Sequence, residues 1–348
     1  VGSLRMLHVS AMESISPLGV GAMANGMIGA GISAYGEIGF HNARNYPVIG
    51  AQVPATALAD LSDDLKWSVL SGREKRLLKL ASTVVKRICA QTQLEQGIPL
   101  FLAGPEPIPG VLGTSSKILR YLVEHSDVSV DLSKSRYFAS GRSGMLEAID
   151  LAFGYLESSG AEAVLVGGVD TYLDPAIIGA LDAEQRLLSE VNSDAFAPSE
   201  AASFIVLSRQ PPVPGTGLVI SRPGLGLEPG HRYSNEPYQG VGLDQAFKKA
   251  VGLAGTSRID AIYSSMNGEH HFAKEYGIAT MRSSSALRED FAHIHPADAY
   301  GDVGAASGGM LIGYAAHNLL KNTHRFPVLV YCSSDQAPRS AVCLAKLA

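Results

Sequence analysis

Cysteine is scarce in this 348-residue chain: Cys89, Cys332 and Cys343 are the only three. An odd count, at spacings that fit no zinc site, excludes a disulfide framework and matches a reduced, intracellular protein. A cytoplasmic location is therefore expected. Charge is also sparse, at 18% of residues with a formal net charge of −5, and basic residues form no block. A nucleic-acid partner is excluded on that ground. No apolar run approaches the roughly 20 residues of a membrane span, and no cationic and apolar leader opens the chain. Val1–Arg5, ahead of Met6, read as an appended stretch.

Several chemical motifs are missing too. There is no GxxxxGK[ST], hence no P-loop and no expected nucleotide cofactor. Gly224-Leu225-Gly226 with Gly230 lacks the third glycine and the strand-to-helix setting of a dinucleotide loop. His270, His271 and Glu275, or His293 with His295, could be offered as metal ligands. No third ligand is placed beside either set, so no metal is expected. Gly141-Arg142-Ser143-Gly144-Met145 ends one residue short of the GxSxG elbow, which leaves Ser143 a weak nucleophile candidate.

What the chain has in quantity is small and apolar residues: 46% hydrophobic, with 37 glycines. That supports a sizeable core with close helix–strand packing. Its central stretch is Tyr137–Asp170. Met145, Leu146, Ile149, Ala152, Phe153 and Leu156 fall on one helical stripe, and Ala163–Val169 reads as a strand covered on both faces. The stretch has an echo in Asp302–Gln336: SGML at 143–146 recurs as SGGML at 307–311, and AVLV at 163–166 as PVLV at 327–330. Each copy leads into a further strand, Ser203–Ser208 and Ala341–Lys346. The spacing predicts two duplicated halves, 1–210 and 215–348, divided at Pro211-Pro212-Val213-Pro214-Gly215.

Around these units the pattern predicts strands at Leu7–Ser10, Ile98–Ala103, Leu218–Ser221 and Ile259–Ser264. Helices are predicted at Gly19–Gly31, Glu74–Gln93, Ile118–Glu124, from Pro175 through Leu181, Leu243–Leu253, His270–Thr280 and Ser284–Phe291. Phe40–Pro54 reads as a loop with room for a short strand, Gly224–Gly242 as a loop and Ile294–Ala299 as extended.

Taken in order, several segments resemble the β-ketoacyl-(acyl-carrier-protein) synthases of the thiolase superfamily. VSAMESISPLG is similar to that family's opening strand and turn, and REKR at 73–76 to the basic start of a helix. GGVDTYLDP is similar to its strand after the nucleophile helix. DAFAPSEAASFIVL resembles its Gly-Phe-x-Pro-Gly-Glu-Gly-Ala loop, and GDVGAASGGM its Gly-His-x-x-Gly-Ala-Ala-Gly helix start. The resemblance implies an α/β thiolase fold, five layers α-β-α-β-α built from two βαβαβ halves. It also implies a homodimer, or a heterodimer with a paralogous synthase, with Lys134–Ala139 as the strand at the dimer contact.

Such enzymes use a Cys thiolate at a helix N-terminus and two histidines. The resemblance puts Arg142 in the cysteine's place, with Gly141 or Ser143 one residue away. Asn267 stands in place of the first histidine and Asp302 in place of the second, while Ser333–Pro338 replaces the Gly-Phe-Gly-Gly-Thr-Asn loop. No residue is assigned as catalytic on this basis. An arginine stays protonated and cannot be a nucleophile, and an asparagine cannot shuttle protons. Arg142 and Asp302 are expected to form an ion pair in the old catalytic centre.

The reading that follows is a non-condensing synthase-like protein with a binding or partner-subunit role in acyl or polyketide-type metabolism, its partners an acyl-carrier protein or acyl thioester. One alternative is an acyltransferase or hydrolase built from Ser143, Ser140, Asn267, Glu269 and Asp302. The other is a scaffold without an acyl ligand.

Overall fold

The computed structural model describes residues 4–92, 97–126, 128–212 and 216–347. The first half runs β1 (Met6–Ser16), β2 (Gly19–Val20), α1 (Gly21–Gly29), β3 (Gly36–His41), β4 (Pro47–Gly50), α2 (Asp63–Lys66), α3 (Gly72–Gln91), β5 (Leu100–Ala103), α4 (Lys117–Ser126), β6 (Arg136–Phe138), α5 (Gly144–Ser159), β7 (Ala163–Thr171), α6 (Pro175–Ala183) and β8 (Glu200–Ser208). The second runs β9 (Leu218–Ser221), β10 (Gly224–Leu227), α7 (Val241–Ala254), β11 (Ile259–Ser264), α8 (His270–Arg282), β12 (Leu287–Ile294), α9 (Ala297–Tyr300), α10 (Ser307–Leu320), β13 (Val328–Ser333) and β14 (Pro338–Lys346).

Ten strands form one sheet path, β12-β11-β13-β14-β9-β1-β8-β7-β5-β6, with β10 added to β14 and β2 to β1. From each end inward the pairings repeat. β6–β5 and β5–β7 are parallel, then β7–β8 and β8–β1 antiparallel. Likewise β12–β11 and β11–β13 are parallel, then β13–β14 and β14–β9 antiparallel. Identical order and sense in two runs is the duplication seen in the SGML and SGGML words. β1 and β9 pair antiparallel and join the runs.

α5 and α10 form the middle layer. Their buried residues share one core with strands of both runs, among them Met145, Phe153, Val166, Leu311, Val330 and Val342. α3 and α4 cover the outer face of the first run, and α7 and α8 that of the second. The result is five layers, α-β-α-β-α. α10 is buried along most of its length, whereas α5 buries Met145, Leu146, Ile149, Ala152, Phe153 and Leu156 and turns Asp150, Leu151, Glu157 and Ser158 outward.

Two sequence expectations are corrected. Ser284–Phe291 is helical only in the single 3-10 turn Ser284–Ala286, and Leu287–Ile294 is strand β12, paired parallel to β11. Leu287 and Phe291 have helical spacing, but the segment's partner lies in another element, and sheet pairing overrides the local pattern. Ile294–Ala299, expected to be extended, contains the last residue of that strand and most of α9. Within Gly224–Gly242 the first four residues form β10. A Cβ at Gly224 would lie 2.2 Å from the Ala246 carbonyl oxygen, and one at Gly226 2.0 Å from that of Gly242. These glycines let α7 lie on β10. The expected boundary at 211–215 falls partly outside the described residues, as does Gln93 at the expected end of the third helix.

Candidate functional site

Arg142 lies in the turn Gly141–Ser143 that opens α5, and Asp302 just before the turn Gly304–Ala306 that opens α10. Both turns begin on a left-handed glycine packed on a buried carboxylate. Gly141 has φ +58°, and a Cβ there would meet Glu106; Gly304 has φ +50°, and a Cβ there would meet Asp170. The two charged residues are not at equivalent positions. Arg142 follows its glycine, whereas Asp302 precedes its own by two residues and accepts the Gly304 amide at 2.9 Å.

Their side chains meet. Arg142 Nε donates to Asp302 Oδ2 at 2.9 Å and to Oδ1 at 3.1 Å, and Nη2 also donates to Oδ2. Arg142 is 0% exposed and Asp302 3%. Asn267 joins them, its Nδ2 donating to Asp302 Oδ2 at 2.8 Å and to Glu269 Oε2 at 3.0 Å. Arg142, Asn267 and Asp302, which the resemblance sets against Cys, His and His, thus converge on one point.

Further charges complete the cluster. Arg142 Nη1 donates to Asp335 Oδ1 at 2.9 Å. Arg186 donates to both oxygens of Asp335, at 2.7 and 3.0 Å, and to both oxygens of Glu269, at 2.8 and 2.9 Å. Arg232 approaches Glu269 at 3.1 Å from the half-buried rim. Phe272 and Phe196 flank the Arg142 guanidinium at 5.0 and 6.0 Å. Burial alone would lower the Arg142 pKa, but the charges of Asp302 and Asp335 hold it well above its ordinary value. Burial would raise Asp335, yet Arg186 and Arg142 hold it well below the carboxylate range.

Glu106 accepts the backbone amides of Asp335 and Gln336, each at 3.0 Å. Burial, then the nearby charge of Asp335, push its pKa from 4.5 to about 8. The cations of the cluster are engaged by Asp302, Asp335 and Glu269, and Arg186 and Arg232 also by Glu184 at 3.6 and 3.9 Å. The loop carrying Asp335 is shaped by Arg339. Its Nη1 donates to the carbonyls of Ser334, Gln336 and Pro338, while its Nε pairs with buried Glu275 at 2.6 Å.

The resemblance led to the expected Arg142–Asp302 ion pair, which is present, with Asn267 bonded to it. Sequence reasoning missed Arg186, Asp335, Glu106 and Arg232. Asp335 carried a signal, since it lies in the segment that departs from the family's glycine-rich loop. Arg186 carried none: it follows α6 in a polar stretch, and its partners lie 83 and 149 residues away.

Ser143 is fully buried, and its hydroxyl donates to Ser340 Oγ at 2.8 Å. Ser140 donates to Glu147 at 3.0 Å. No histidine is bonded to either. The histidines offered as metal ligands have other contacts: His270 lies 3.2 Å from Asp194, His295 pairs with Asp298 at 2.8 Å, and His293 stacks on Tyr276 at 3.9 Å. Glu275, offered with His270 and His271, is paired with Arg339. Among the described residues no three His, Cys, Asp or Glu side chains gather as a metal site. Cys332 and Cys343 are buried and free, and burial pushes both thiols up. No described helix is long and apolar enough to cross a membrane.

Residues 140–212 match the model of the beta-ketoacyl synthase N-terminal domain. The whole chain superposes on solved ketosynthase structures. A ketosynthase in complex with its chain length factor from Xenorhabdus doucetiae (ApeO and ApeC) aligns with TM-score 0.78 at 16% identity, over 98% of both chains. The ketosynthase from module 6 of the bacillaene synthase of Bacillus subtilis 168 gives 0.78 at 12%, over 99% of this chain and 72% of that one. The ishigamide ketosynthase/chain length factor gives 0.75 at 13%, over 99% and 100%. No curated protein sequence matches the chain. The chain therefore has the fold of these solved ketosynthases.

Proposed function

We propose that this protein is a non-condensing ketosynthase-like subunit, a partner to a paralogous synthase in acyl or polyketide-type assembly. The observation that carries the reading is the ion cluster. Condensation needs a thiolate that accepts an acyl group and a dry, open position for the malonyl unit. Here Arg142 occupies the nucleophile position with its guanidinium engaged by Asp302 and Asp335. Asn267 donates to carboxylates instead of facing an open oxyanion site. A protonated guanidinium in such a pair offers no lone pair for attack.

Assembly with a second subunit is supported by two observations. Strand β6 lies at one end of the sheet path, so one edge of it is unpaired among the described residues. The similar structures include pairs of a ketosynthase with a chain length factor. The division of the chain near 211–215 into two halves belongs to the same reading.

An acyltransferase or hydrolase built on Ser143 is disfavoured by geometry, since Ser143 is fully buried and its hydroxyl donates to Ser340 Oγ at 2.8 Å. The test is native mass spectrometry of the purified chain with acyl-carrier protein and with malonyl and acyl thioesters. The expected result is no covalent mass increase, and a complex with a paralogous synthase when the two are produced together. An acyl adduct would overturn the reading.

A further inference from the structure

Three large apolar side chains stand almost bare at one corner of the molecule: Trp67 is 87% exposed, Val69 100% and Leu112 91%. Trp67 and Val69 lie between α2 and α3, and Leu112 lies between β5 and α4. One carboxylate holds the two loops together. Glu74, in the first turn of α3, accepts the Ser71 amide at 2.9 Å and the Ser115 amide at 3.0 Å. The backbone beneath the exposed side chains is pinned. The Trp67 amide donates to the Asp63 carbonyl at 3.1 Å, Lys75 to the Lys66 carbonyl at 2.7 Å and the Ser68 hydroxyl to the Leu65 carbonyl at 2.7 Å. Half-buried Leu70 packs on the core under α3. The chain therefore holds these apolar groups out on fixed turns, the mark of a contact surface.

Two features choose the occupant. Charges around the corner are balanced locally: Asp63 pairs with Lys66 at 3.2 Å, Asp60 approaches Lys79 at 4.0 Å and Arg120 pairs with Glu124 at 2.7 Å. Asp64 and Lys117, both exposed and outside these pairs, oppose each other in sign. The corner thus offers little net field to a strongly acidic or basic partner, and it matches a zwitterionic surface. Second, side chains this bare have no neighbours along their flanks. A rigid protein would need a separate pocket for each, whereas a fluid interface closes around them, and the amphipathic indole is favoured at that depth. We propose that this corner docks on a zwitterionic lipid surface, with Trp67, Val69 and Leu112 entering the headgroup layer. Three side chains offer no more apolar area than a single acyl chain, so the contact is peripheral and reversible.

Trp67 is the chain's only tryptophan, so its emission reports this corner alone. The test is titration of the full chain with phosphatidylcholine vesicles, read by tryptophan emission and by co-sedimentation. The expected result is a saturable shift to shorter wavelength that follows the bound fraction. Mixing in phosphatidylglycerol or raising the salt should change the partition coefficient by less than about twofold. Trp67→Ala should lower it about tenfold, and Val69→Asp with Leu112→Asp by at least as much while keeping the reporter. Exposed positions tolerate such changes, and a thermal melt checks the fold of each variant. No emission shift at millimolar lipid overturns the proposal. So does vesicle binding that survives both variants, which would lie on another face. A shift produced by a paralogous synthase and not by vesicles would make the corner a protein interface, and it overturns the proposal too.

Discussion

Arg142 is the residue on which the centre turns. It is buried with an aromatic ring on either side and two carboxylates within hydrogen-bond reach. Removing one partner of such a buried set leaves the other uncompensated, so Arg142→Ala should destabilise the fold by about 3–5 kcal/mol. Denaturant titration checks this, and an unchanged midpoint would show that Asp302 and Asp335 find other partners. Glu106 makes a separate, pH-dependent contribution. Its pKa is higher in the folded chain, about 8, than its ordinary 4.5. Between those values the unfolded state releases the proton while the folded state keeps it, so this group's contribution to stability falls as pH rises. Glu106→Gln should remove that decline in melts from pH 5 to 8.5. A variant with the wild-type slope would assign the titration to another group.

At the level of elements, helix starts and glycine contacts explain where pieces sit. α3 begins with a capping box, Ser71 Oγ accepting the Glu74 amide and Glu74 returning to the Ser71 amide. That is why SGRE marks a helix start in the bare sequence. β10 and α7 pack backbone to backbone through Gly226, where a Cβ would sit 2.0 Å from the Gly242 carbonyl oxygen. Backbone cannot swing aside as a flexible side chain can, so Gly226→Ala should destabilise by about 1–3 kcal/mol. Thermal unfolding measures this, and a neutral result would mean that β10 peels from α7 at little cost. The same contact accounts for the Gly-Leu-Gly spacing that a dinucleotide loop would otherwise explain.

For the whole molecule, the decisive feature is the sheet path, which among the described residues ends at β6 and β12. β12 carries Arg288, Glu289 and Asp290, charges that discourage edge pairing. β6 is three residues long with half-buried Tyr137 and Phe138. If two copies pair there antiparallel, Arg136→Cys and cysteine substitutions along Lys134–Ala139 should crosslink under mild oxidation at one or two alternating positions. A dimer by mass with no crosslink at any of them would place the contact on another face.

Order and kind of element were legible from the sequence because hydrophobic period and glycine punctuation are local. The SGML and SGGML words carried the duplication, and the helix starts of α3, α5 and α10 could be read from a few adjacent residues. The convergence of Arg142, Asn267 and Asp302 was legible only through resemblance, since nothing local links residues 142, 267 and 302. The expected helix failed over Leu287–Phe291 because a strand at a sheet edge takes its conformation from its neighbour, β11, and not from its own spacing. Arg186, Asp335 and Glu106 belong to the tertiary structure alone. A buried charge is tolerated only where folding brings its counter-charge within bonding distance, and those counter-charges come from segments far apart in the chain.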